Sequence, residues 1–121
     1  MVVLIAVLGG VGAASRFVVD GSIRARWTRV FPLATLLINV SGSLLIGLLN
    51  GAHLYHDLGS TTLAVAATGF CGGYTTFSTA MVETVRLIQA GEVRRATFNA
   101  VGSVVLCLGA AALGVAVMAA W

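Results

Sequence analysis

The chain has 121 residues, of which 59% are hydrophobic and only 9% are charged, and its mean hydropathy is +1.02. A soluble domain carries about 25% charged residues, so this chain cannot cover its surface with polar side chains and belongs in a membrane. Its net charge of +3 rests on seven arginines dispersed between apolar segments, which excludes the clustered basic face of a nucleic-acid-binding protein.

Four apolar segments follow one another along the chain, and we expect each to cross the bilayer as a helix. Crossing takes about 20 predominantly apolar residues. The predicted spans cover residues 2–19, 33–54, 61–89 and 96–121, and all four belong to one domain. The sequence therefore predicts an all-α integral membrane protein, a multi-pass protein of the plasma membrane.

Arg16 lies near the far end of the first span, after glycines that favour close helix packing. The residues leave two interpretations of this arginine open. In one, its guanidinium extends to the lipid interface while its stem stays in the apolar layer. In the other, it lies at the mouth of an anion path.

Polar side chains form a stripe along the second span. Thr35, Asn39 and Ser43 are four residues apart, so they share one helix face. Small polar residues on such a face also serve helix–helix packing, an equally simple interpretation of Ser43. A carboxamide inside the membrane is costly unless it is used, so we expect the Asn39 amide to donate to a passing anion.

The third span is predicted to break at residues 71–74. Gly72 and Gly73 can adopt positive φ, which ends a helix at little cost, and Thr75 and Thr76 are suitable N-cap residues for the helix that resumes. Non-helical backbone survives in a membrane only where protein or water surrounds it. A small cation is a natural ligand for the freed carbonyl groups. We therefore expect an ion site near the bilayer midplane.

Beyond the break, Thr75, Thr79 and Glu83 are four residues apart and form a polar line on one helix face. An intramembrane carboxylate indicates a functional site, although Glu83 is also placed for an ion pair with Arg86. In the fourth span, Ser103 either lines a vestibule or bonds to its own helix.

The segment Gly-Phe-Cys-Gly-Gly-Tyr-Thr-Thr-Phe-Ser-Thr at residues 69–79 resembles the signature of the Fluc (CrcB) fluoride channels. The resemblance extends to Gly-Ala-Ala-Ser-Arg-Phe at 12–17 and to Asn-Val-Ser-Gly-Ser-Leu-Leu-Ile-Gly at 39–47, and it covers essentially the whole chain. It implies a channel that exports fluoride passively, not an enzyme, and an antiparallel dimer of four-helix subunits.

The resemblance also implies roles for individual residues. Phe77 would offer its positive ring edge to fluoride, and Asn39, Ser78 and Thr79 would offer N–H and O–H donors. A structural sodium ion would bind at the dimer interface to the backbone carbonyls of Gly72 and Thr75, two from each subunit. The remaining candidates for the ion pathway are Thr35, Glu83, Ser103 and Arg16.

One position departs from the family pattern, which shows a second phenylalanine where this chain has Ala80. One ring contact is thus missing, and we expect slower conduction, lower selectivity, or completion of the site by a partner chain.

All seven arginines lie at or near the side of the membrane that holds the 20–31 and 90–95 connections, and none lies on the other side. The positive-inside rule then predicts a fixed orientation with both termini outside. Either an antiparallel dimer of this chain with itself or a pair with an oppositely oriented sister subunit is open, and the bias leads us to hypothesise the sister.

Two other classes of function remain as alternatives. A small multidrug transporter is disfavoured because the predicted first span has Arg16 and no acidic residue. A non-conducting or partner-dependent subunit of a heterodimeric channel is kept open by Ala80. An enzyme is least favoured, because His53 and His56 lie in a turn far from Ser78 and Glu83.

Overall fold

The computed structural model describes residues 1–27 and 32–121, and within these ranges the regular structure is entirely helical. The helices are α1 (Val2–Arg26), α2 (Leu33–Tyr55), α3 (Ser60–Ala64), a π-helix (Val65–Cys71), α4 (Gly72–Tyr74), α5 (Phe77–Gln89) and α6 (Val93–Ala120). Three of them, α1, α2 and α6, are long and apolar enough to cross a membrane. The stretch from α3 to α5 is a fourth, interrupted helical segment.

The first helix extends beyond the predicted span and includes part of the expected polar connection, up to Arg26. Two effects favour this extension. Asp20 and Arg24 are one turn apart and form an ion pair at 2.9 Å, a geometry that only a helix provides. Arg24 and Arg26 also lie in the last turn, where positive charge is stabilised by the helix dipole. Arg29, which was placed in the same connection, lies outside the described residues.

The helices alternate in direction. Gly9 and Gly12 of α1 pack against the third segment near Gly69 and Phe70, and Arg24 further along α1 approaches Glu83 of α5. These two segments are therefore parallel. The helices α2 and α6 run the opposite way and end together, where a ring nitrogen of His56 lies 2.7 Å from the Met118 carbonyl oxygen.

Glycine allows two close helix crossings. At Gly47 of α2 an added Cβ would collide with the backbone of Ala111, and at Gly114 of α6 it would collide with the backbone of α2. Small residues at such contacts let helix backbones approach closely, which is how membrane helices gain packing energy without a hydrophobic driving force. The second crossing joins α1 to the interrupted segment through Gly12 and Gly73. It fixes the interruption against a continuous helix.

Candidate functional site

The interruption of the third segment lies at Thr75 and Thr76, not at residues 71–74 as predicted. Helical backbone continues through Gly72, with φ −61° and ψ −38°, and the chain becomes extended at Thr75 (φ −82°, ψ 157°) and Thr76 (φ −148°, ψ 113°). Among the described residues only Asp57 and Gly91 have positive φ. Gly73 serves packing instead, because a Cβ there would collide with the Gly9 carbonyl of α1.

The two threonines at the interruption have different roles. Thr76 is the N-cap of α5, and its hydroxyl oxygen accepts a hydrogen bond from the Thr79 N–H at 3.3 Å, as predicted for a capping threonine. Thr75 does not cap α5. Its hydroxyl donates back to the Cys71 carbonyl at 2.8 Å, and its own N–H reaches the same carbonyl at 2.9 Å. Thr75 therefore belongs to the end of α4 and not to the start of α5.

Asn39 of α2 is bonded to the backbone at the interruption. Its amide Nδ2 donates to the Thr76 carbonyl at 2.9 Å, and its Oδ1 accepts from the Thr76 N–H at 2.8 Å. In a continuous α-helix the Thr76 N–H would have reached the Gly72 carbonyl. One amide hydrogen of Asn39 is thus committed to the protein, and donation of the other to a passing anion stays a prediction.

Glu83 interacts across helices and not with Arg86, the neighbour that the sequence suggested. Its carboxylate accepts a hydrogen bond from the buried Thr35 hydroxyl of α2 and lies 3.6 Å from the Arg24 guanidinium of α1. Arg24 also pairs with Asp20, to which its Nε donates at 2.9 Å. Three helices therefore meet in one polar cluster, in which the largely covered Thr35 and Glu83 find partners while Arg24 and Asp20 remain partly exposed.

Three cavities of about 300, 240 and 350 Å³ surround this cluster, and Arg24 lines all of them. We call their polar lining the arginine vestibule. It brings together five of the predicted pathway residues and three charged residues that the pathway prediction did not include. Its members are Arg16, Asp20, Arg24, Thr35, Ser78, Thr79, Glu83 and Arg86.

The other predicted pathway residues lie in different surroundings. Phe77 is 75% exposed, so its ring has little packing within the chain. Ser103 is buried on α6, and its hydroxyl has no hydrogen-bond partner among the described residues. It does not line the three cavities, and its place on a pathway stays a prediction.

Ala80, at the position where the family pattern has a phenylalanine, is only 4% exposed and faces α6. Its carbonyl accepts hydrogen bonds from the Thr84 hydroxyl at 2.8 Å and from the Asn99 amide at 3.3 Å. The Asn99 side chain is itself buried, and its Oδ1 has no partner among the described residues. In this chain the position belongs to the contact between α5 and α6.

The backbone at the interruption fits the donor set expected for sodium. The Thr76 N–H, which would otherwise occupy the Gly72 carbonyl, is bound to Asn39, and the Thr79 N–H, which would reach the Thr75 carbonyl, is bound to the Thr76 hydroxyl. Both carbonyls are thereby released from helical bonding. Carbonyl oxygens are hard ligands of the kind that small hard cations prefer. Among the described residues no three His, Cys, Asp or Glu side chains lie close enough together to share a metal ion.

Sequence reasoning missed Asp20 and Arg24 as members of the site and Asn99 as a buried polar group. The spacing of Asp20 and Arg24, one helical turn apart, was a signal that the first helix continued and carried both residues inward. Asn99 gave a weaker signal, an amide four residues before Ser103 in an otherwise apolar helix. The partners of these side chains lie on other helices, which spacing alone does not reveal.

Comparison with known proteins assigns the chain to a family. The family model described as CrcB-like protein, Camphor Resistance (CrcB), matches residues 3–115. The chain is 48% identical over 114 residues to fluoride-specific ion channel FluC 1 of Leifsonia xyli, covering 94% of this chain and 83% of that protein. It is 47% identical over 110 residues to FluC 2 of Mycolicibacterium paratuberculosis, covering 91% and 87%. These relatives are named as ion channels, not enzymes, and a match of this extent means that the chain belongs to the CrcB family.

Proposed function

We propose that this chain is a subunit of a fluoride-selective channel that lets fluoride leave the cell passively across the plasma membrane. The observation that supports this most directly is its 48% identity, over 94% of its length, to a protein named as a fluoride-specific ion channel. The arginine vestibule is compatible with an anion as cargo. Its three arginines outnumber its two carboxylates, and an excess of positive charge in a cleft concentrates anions and raises their rate of entry.

The proposed path leads from the vestibule to the start of α5. Fluoride is small and strongly hydrated, so a pore must replace its water with donors at close range. The hydroxyls of Ser78 and Thr79 and the positive ring edge of Phe77 are donors of that kind, and they follow one another directly along the chain. Larger halides would be rejected by pore width and by poor donor geometry.

We also propose a structural sodium ion held by the backbone carbonyls of Gly72 and Thr75. One subunit contributes only two oxygens, so a second subunit, related by an antiparallel arrangement, would complete the set. The release of both carbonyls from helical bonding supports this donor set. Replacing sodium with the bulky N-methyl-D-glucamine cation during purification should lower the melting temperature of the assembly, and adding sodium back should restore it.

The partner in that assembly is proposed to be a sister chain of opposite orientation. The arginine bias of seven to none favours a fixed orientation for this subunit. The buried Ala80 also favours a partner that supplies the missing ring contact. A small multidrug transporter is not retained. The absence of an acid from the first helix no longer argues against it, because α1 includes Asp20, but membership of the CrcB family does.

Fluoride efflux from liposomes tests the function. Vesicles loaded with potassium fluoride and containing only this protein are treated with valinomycin, and external fluoride is followed with an electrode. Rapid loss of fluoride, without loss of chloride from matched vesicles, is expected of a self-sufficient channel. Efflux that appears only with a co-expressed sister chain would identify a partner-dependent subunit. Silence in both preparations would overturn the proposed function.

A further inference from the structure

Asn39 and Thr76 are paired as two strands of a sheet would be. The side-chain amide donates to the Thr76 carbonyl at 2.9 Å and accepts from the Thr76 N–H at 2.8 Å. Thr76 is extended, with φ −148° and ψ 113°, and an extended residue presents its own N–H and C=O to the same neighbour. A carboxamide is chemically a peptide group, so it matches both. Asparagine thus substitutes for an adjacent strand.

This pairing gives partners to the N–H and C=O groups of Thr76, which lie outside any helix and would be costly to leave unpaired. The helical geometry of α4 ends at Tyr74, and that of α5 begins at Phe77. In a membrane, an N–H or C=O outside a helix requires a partner within the protein or in a water-filled cavity. Aspartate in place of Asn39 would offer only acceptors, and an apolar side chain would offer nothing. The amide alone among side chains of this size satisfies both groups.

The effect of the pairing extends into α5. The Thr76 hydroxyl accepts from the Thr79 N–H at 3.3 Å and donates to the Thr79 hydroxyl at 3.1 Å. The Ser78 hydroxyl lies 3.4 Å from the same Thr76 oxygen. Fixing the Thr76 backbone therefore fixes the cap of α5 and, with it, the orientation of the hydroxyls that follow.

We infer that Asn39 is a positioning residue, which acts on the anion through Thr76 by setting the direction in which α5 leaves the interruption. The inference deepens the proposed channel function and rests on it. It differs from a direct role, in which the amide donates to fluoride itself. The second amide hydrogen of Asn39 leaves such a role chemically feasible, so the experiment must separate the two.

The test compares Asn39→Leu with Asn50→Leu. Leucine keeps the branched shape of asparagine, although it is larger, and removes both hydrogen bonds. Asn50 lies on the same helix and is half-buried, but its amide donates only to the Ile46 carbonyl of its own helix at 2.9 Å. Each protein is measured in lipid nanodiscs for backbone hydrogen exchange over residues 74–79 and in liposomes for fluoride efflux. For Asn39→Leu we expect exchange of the Thr76 amide to accelerate at least tenfold and efflux to fall at least tenfold. For Asn50→Leu we expect less than twofold change in either.

Two results would overturn the inference. A loss of efflux with unchanged protection of the Thr76 amide would mean that Asn39 contacts the anion directly. Faster exchange with unchanged efflux would mean that conduction does not need the pairing. If Asn39→Leu does not elute as the native assembly in gel filtration, Asn39→Ala replaces it. If the unaltered protein conducts no fluoride even with a sister chain, the proposed function fails separately, and unchanged Thr76 exchange in the variant would then still reject the pairing.

Discussion

Glu83 shows how a single residue in this membrane protein finds its partners. The sequence placed it three residues from Arg86 on one helix, whereas its carboxylate is bonded to the Thr35 hydroxyl and faces Arg24. The Glu83 side chain is 11% exposed, so it depends on the groups around it for compensation of its lost hydration. Removing one of those groups should therefore lower the free energy of unfolding by a measurable amount.

We expect Thr35→Val to lower the free energy of unfolding. Valine has the shape of threonine without the hydroxyl, so the buried carboxylate oxygen loses its donor, at a cost of roughly 1–3 kcal/mol. Thermal unfolding in detergent measures the change. Thr97→Val is the matched control, because the exposed Thr97 hydroxyl donates only to the Val93 carbonyl of its own helix. Equal stability of the two variants would contradict the importance of the contact between Thr35 and Glu83.

Ala80 leads to a second prediction for a single residue. It is buried against α6, beside the Asn99 side chain that donates to its carbonyl. Phenylalanine at this position, although typical of the family pattern, should destabilise this chain by about 1–3 kcal/mol, because a large side chain in a packed contact forces neighbours to shift. Thermal unfolding and gel filtration of Ala80→Phe check this. A variant as stable as the original protein would show that α5 and α6 can separate to admit the ring.

At the level of elements, the interrupted segment is held by its neighbours on both sides. After the short helix α3 comes a π-helix, Val65–Cys71, which packs against α1, and the interruption itself is bonded to α2 through Asn39. Wide π-turns are uncommon and occur frequently at functional sites. The segment therefore takes its irregular shape between two regular helices. Its contact with α1 should be sensitive to small increases in side-chain size on α1.

Two glycines of α1 test that contact. A Cβ at Gly12 would collide with the Phe70 carbonyl of the π-helix, whereas a Cβ at Gly10 meets nothing within 4 Å. We expect Gly12→Ala to lower the melting temperature and Gly10→Ala to leave it unchanged or raise it, since alanine favours a helix by up to about 1 kcal/mol over glycine. Thermal unfolding of both variants measures the difference. The opposite order would show that α1 does not pack on the interruption as described.

For the molecule as a whole, charge is concentrated at one end. Arg24 and Arg86 line one cavity with Trp27, and Arg94 and Arg95 line a groove that includes the same tryptophan. The opposite end, which holds the contact between His56 and Met118, has no arginine among the residues that the structure describes. Cytoplasmic ends of membrane proteins carry an excess of arginine and lysine.

We therefore expect a single orientation, with the arginine end in the cytoplasm. A reporter active only in the cytoplasm and one active only outside, each fused to the C-terminus, measure the two populations. Signal from the external reporter alone is expected. Replacing Arg94 and Arg95 with glutamine should raise the cytoplasmic signal, because it removes two of the charges that favour this orientation. Equal signals from the two reporters in the unaltered chain would contradict the proposal of an oppositely oriented sister.

Local information in the sequence was enough for the helical class and the existence of an interruption. Length, hydropathy and periodicity can each be read from a single segment, because a helix forms its backbone hydrogen bonds within itself. The capping role of Thr76 followed from the same local chemistry. Membership of the family was likewise readable from residues 69–79 and their surroundings.

Tertiary structure decided where the interruption lies and which polar side chains meet. Gly73 is helical and packs closely against α1, and the break lies at the threonines that follow. The pairing of Asn39 with Thr76 spans 37 positions, and that of Thr35 with Glu83 spans 48. No local pattern specifies such contacts, because they arise only when packing of the helices brings distant polar groups together away from water, where each must find a partner.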